Sequence, residues 1–177
     1  APPRKDLDRF FLSENEFQCE IQVGNDIAET IENGKILGEK ILSMNVAAVI
    51  ELFDSNPMVL NTRSAFDIPQ YSSLDSMDDV LRVLLAIDEK FLVYRDLGYY
   101  LDGKQKKVVA RSKYGENHFK TCCSFGFATR TPYLSPTILG AYYMQSPPSI
   151  KKELQAKTAK RIPIIRCMIA DAGYSTV

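Results

Sequence analysis

The stretch from Leu74 to Tyr100 constrains the fold more than any other. Its centre reads Asp78-Asp79-Val80-Leu81-Arg82-Val83-Leu84-Leu85-Ala86-Ile87-Asp88-Glu89-Lys90-Phe91-Leu92. Met77, Leu81, Leu84, Leu85, Asp88 and Leu92 recur at helical spacing, and Val80, Ile87 and Phe91 widen the stripe. So broad an apolar stripe leaves little of the helix for solvent, and the pattern predicts a buried central helix. Ser76 or Asp75 can cap it. Asp78 and Asp79 fall in its first turn, where carboxylates offset the macrodipole.

A buried helix needs neighbours on several sides, and 177 residues are enough for one core to supply them. A hydrophobic share of 45% and a charged share of 25% suit a globular domain. No apolar run reaches the roughly 20 residues of a membrane-spanning helix. The chain opens on Ala1-Pro2-Pro3-Arg4-Lys5, without an initiator Met or an apolar leader. The expectation is a single globular domain over residues 1–177, excised from a longer protein or left by processing.

Before the central helix the pattern is largely helical. Asp6–Leu12 reads as a short helix and Phe17–Val23 as a half-buried strand. Ile27–Met44 approximates helical spacing, with Gly34 and Gly38 either breaking it or letting another element come close. Val46–Phe53 reads as a second helix capped by Asn45, and residues 54–73 as an irregular connection broken by Pro57 and Pro69.

After the central helix the period changes. Tyr99-Tyr100-Leu101 leads into Asp102-Gly103, a strong hairpin-turn signal, and Lys106–Arg111 returns with Val108 and Val109 as its apolar pair. His118–Arg130 alternates, with Phe119, Thr121, Cys123, Phe125 and Phe127 on one face, and predicts the best strand of the chain. Thr137–Met144 predicts a helical turn, and Ser149 caps a helix from Ile150 to about Ala159. Ile162–Ala170 predicts a final strand, at an edge or starting at Pro163. The expected fold class is α+β: one domain, with an N-terminal helical section and the central helix packed on a mostly antiparallel sheet.

Charge is uneven along the chain. Residues 1–102 hold 9 Lys and Arg against 19 Asp and Glu, a net −10; residues 103–177 hold 13 against 3, a net +10. Either the halves compensate one another inside one core, or a basic face meets an acidic partner or a polyanion. Lys104, Lys106, Lys107, Arg111, Lys113 and Lys120 crowd the expected hairpin, with Tyr99, Tyr100 and Tyr114 near enough to stack on bases. A helix followed by a basic hairpin resembles a winged helix in outline. Lysines on an edge hairpin also discourage sheet-to-sheet aggregation. Ser124-Phe125-Gly126-Phe127-Ala128 has the aromatic-Gly-aromatic centre of an RNA-recognition strand, but the basic-Gly pair before Phe125 is absent. Its companion would be Ile21–Asn25, about a hundred residues away and with Gln22 at the stacking position, so aromatic core packing explains the motif better.

Catalytic chemistry is thinly represented. His118 is the single histidine; on a strand it would share a face with Cys122 at about 13 Å, beyond direct proton transfer. Asp102-Gly103-Lys104, with Asp88 or Asp96 upstream, matches a fragment of metal-dependent nucleases, yet Asp-Gly is better explained as a turn. Cys19, Cys122, Cys123 and Cys167 lack zinc-site spacing and read as free thiols, which places the protein inside the cell, cytoplasmic or nuclear. No cofactor and no metal are called for. The C-terminal Ser175-Thr176-Val177 would suit carboxylate capture in a peptide groove if Val177 were the natural end of the chain.

The function expected is therefore a non-catalytic protein-interaction or dimerisation module, binding a protein partner or itself and no membrane. Tyr71, Tyr133, Tyr142 and Tyr143 are its expected exposed anchors. The alternative is RNA or DNA binding through the basic 104–120 hairpin, helped by Lys151, Lys152, Lys157, Lys160 and Arg161.

Overall fold

The structure, a computed structural model, describes residues 27–55, 74–86, 93–101, 107–130 and 133–173. The described residues form eight α-helices, a short 3-10 turn at Ala159–Arg161 and one small sheet. The helices are α1 (Ile27–Ser43), α2 (Val46–Ser55), α3 (Ser76–Ala86), α4 (Tyr94–Leu101), α5 (Val108–Ser124), α6 (Ile138–Gln145), α7 (Pro148–Thr158) and α8 (Pro163–Asp171). Strands β1 (Ala128–Thr129) and β2 (Ser135–Pro136) pair antiparallel, with Ala128 opposite Pro136 and Thr129 opposite Ser135.

Helix α3 stands at the centre, as its stripe predicts. Met77, Val80 and Leu81 are completely buried, and the helix packs against α4, α5, α6 and β2. One buried cluster runs through it, joining Leu37 and Ile41 of α1, Leu97 of α4, Phe119 and Cys122 of α5, Leu139 and Tyr143 of α6 and Leu154 of α7. Helix α1 is unbroken at Asn33-Gly34. A Cβ at Gly34 would strike the Ile138 carbonyl, and one at Gly38 the Tyr142 ring, so these glycines let α6 lie close against α1.

Among the described residues the sheet is far smaller than expected, and most of them are helical. Where the structure describes them, the expected Lys106–Arg111 and His118–Arg130 strands are not formed: Val108–Ser124 is one helix, and Ala128–Thr129 alone keeps strand pairing. The buried positions of α5 are Gly115, Phe119, Thr121 and Cys122, of which Gly115, Phe119 and Cys122 are spaced four and three apart as one helical face requires. The apparent alternation runs across two structures. Phe119 to Cys123 belongs to the helix, and Phe125 and Phe127 to the chain beyond it. Nor does Ile162–Ala170 form a strand. Pro163 sits at the first position of α8, where its missing N–H costs nothing.

Caps fix several boundaries. The Asn45 side chain accepts from the Ala48 N–H at 2.8 Å. Helix α5 stops at Gly126, whose φ of 77° is left-handed. The Gly126 N–H then donates to the Cys123 carbonyl and the Phe127 N–H to the Cys122 carbonyl, the two bonds of a Schellman motif. Thr137 caps α6 by accepting from the Gly140 N–H. Its hydroxyl donates to the Gly126 carbonyl at 2.6 Å, and its N–H to the Phe127 carbonyl at 2.9 Å.

Cys122, Cys123 and Cys167 are free thiols, and Cys122 is buried. Among the described residues no helix is long and apolar enough to cross a membrane. The expected Asp6–Leu12 helix, Phe17–Val23 strand, 56–73 connection, Asp102-Gly103 turn and Ser175–Val177 tail lie outside the described residues, as do Cys19, Asp88 and Tyr71.

Candidate interaction surface

Helices α4 and α5 form an antiparallel pair, the most extensively packed in the described chain. A Cβ at Gly98 would meet the Arg111 carbonyl, and one at Gly115 would meet the Tyr94 carbonyl and the Gly98 backbone. Backbone therefore lies on backbone at the crossing. At the inner end, the Tyr94 and Phe119 rings meet with centroids 5.9 Å apart. Leu97 and Phe119 enter the core there.

At the outer end the pair carries its apolar side chains into solvent. Val109 is 82% exposed and Val108 58%, while Tyr99 and Tyr100 are each 40% exposed. The two tyrosines meet edge to face at 5.6 Å. The Arg111 guanidinium lies over the Tyr99 ring, 5.1 Å from its centroid. Val108 precedes Arg111 by three residues, so the two fall on one side of α5. Lys107 occupies the N-cap position of α5 without a capping side-chain bond, and the first turn holds no carboxylate. A cation there opposes the macrodipole.

The basic residues named from the sequence therefore do not share a hairpin. Lys107, Arg111, Lys113 and Lys120 are strung along α5, and Lys104 and Lys106 lie outside the described residues. Lys120 donates to Glu116 at 2.6 Å and Lys113 lies 4.0 Å from the same carboxylate. That bond with Lys120 holds the Glu116 carboxyl below its usual range. Three of the helper cations are also occupied. Lys157 donates to the Met44 carbonyl, Lys160 to the Ala156 carbonyl, and Arg161 packs against Gly126.

The expected tyrosine anchors fare differently. Tyr143 is 1% exposed, and Tyr142 is half-buried with its ring against Gly38. Both belong to α6, so neither is the exposed loop anchor expected. Tyr133 is half-buried beside β2.

Tyr143 belongs instead to a polar network that the sequence hides. Its hydroxyl donates to Asp78 Oδ1 at 2.8 Å and accepts from Gln155 Nε2 at 2.6 Å. Lys151 Nζ donates to Asp78 Oδ2 at 2.7 Å and lies over the Tyr143 ring. Asp78 thus ties α3 to α6 and α7, and its pair with Lys151 joins the acidic and basic halves of the chain. Burial, then the bond to Asp78, pushes the Tyr143 hydroxyl far above the usual tyrosine range. It stays a donor at neutral pH, which suits architecture rather than nucleophilic chemistry.

His118 and Cys122 fall one turn apart on α5. The His118 Nδ1 lies 2.8 Å from the Tyr114 carbonyl, the Cys122 thiol donates to the Met77 carbonyl, and burial pushes that thiol well up. A nucleophilic cysteine needs the thiolate, which this setting disfavours. Among the described residues no group of three or more His, Cys, Asp or Glu is placed to hold a metal ion.

Compared with known proteins, the chain matches no family model, no curated protein and no solved structure.

Proposed function

We propose that this chain is a non-catalytic protein-interaction module and that the outer end of the α4–α5 pair is its docking surface. The observation that carries the reading is the solvent exposure of Val108 and Val109 beside Tyr99 and Tyr100. Exposed aliphatic and aromatic side chains grouped on a rigid support are the usual anchors of a protein interface. Nucleic-acid binding is the second reading, and Lys107 and Arg111 support it. Two adjacent valines give a polynucleotide little to bind, and the pairing of Lys113 and Lys120 with Glu116 weakens the phosphate-binding face.

A photo-crosslinking amino acid placed at position 109, and in a second variant at exposed position 152 of α7, tests the proposal in cells. Adducts of discrete protein mass from position 109 and not from position 152 are expected. A second copy of the chain as the adduct counts as self-association and supports the module. Equal adducts from both positions, or none from position 109, overturn it.

A further inference from the structure

We draw no further inference here: the strongest candidate, the apolar face that α8 turns to solvent at Ile164 and Met168, carries none because nothing in the structure shows what covers it.

Discussion

The α1–α6 and α4–α5 pairs are both drawn together by glycines, with opposite consequences. In the first, Gly34 faces a carbonyl and Gly38 faces the Tyr142 ring, and both helices sink into the core at Leu37, Ile41, Leu139 and Tyr143. In the second, Gly98 and Gly115 set backbone against backbone, yet only the inner end is buried and the outer end holds Val108 and Val109 in solvent. Close helix approach therefore does not by itself mean burial. In α4–α5 it stiffens a pair that projects its apolar end, and a rigid surface loses less conformational freedom on binding than a loop would.

The contrast breaks first at Gly115. A Cβ there meets backbone that cannot rotate away, so Gly115→Ala is expected to cost about 3 kcal/mol or more, measured by urea unfolding. Next is Tyr143→Phe, which leaves Asp78 and Gln155 without the shared hydroxyl and is expected to cost about 1–2 kcal/mol.

Tyr143→Phe also carries a pH signature. The folded hydroxyl titrates above its unfolded value, so its stabilising contribution is complete below about pH 10 and is lost as pH rises past that. Stability of the native sequence falls there, and the Phe variant is expected to show a shallower alkaline slope. Equal slopes would remove Tyr143 from the titration.

Gly38→Ala is expected to cost about 1 kcal/mol, because the Tyr142 ring it meets is a side chain that can yield. A cost equal to that of Gly115→Ala would erase the distinction between backbone and side-chain contact. The smallest effect belongs to Val109→Asn, which should change stability by no more than about 0.5 kcal/mol while abolishing position-specific binding.

These expectations separate what the sequence could and could not reveal. Helices α1, α2, α3 and α7 are readable from period and punctuation, and Asn45 from its capping chemistry. The break considered at Gly34 is instead a close approach, an alternative that two glycines four apart already contain. Helices α4, α5 and α8 were hidden by local preference: Tyr99-Tyr100, Val108-Val109 and Ile164-Ile165 favour strands. What overrides them is tertiary, since Gly98 and Gly115 are 17 positions apart and only their contact makes the pair close. The site was half legible. Tyr99, Tyr100, Lys107 and Arg111 stood out beside one another, but Val108 and Val109 read as the apolar pair of a strand. Asp78 was visible as a first-turn carboxylate, while its partners Tyr143 and Lys151 lie 65 and 73 residues away.

Thr137 has a dynamic consequence. Its N–H and its hydroxyl both reach the segment that ends α5, while its oxygen starts α6. The last turn of one helix and the first turn of the next are thereby parts of a single cooperative unit, although a hairpin separates them in sequence. Amide protons at Gly126 and Phe127 and those at Gly140 and Ala141 would then exchange with solvent through one shared opening event. A fluctuation that frees either end releases the other.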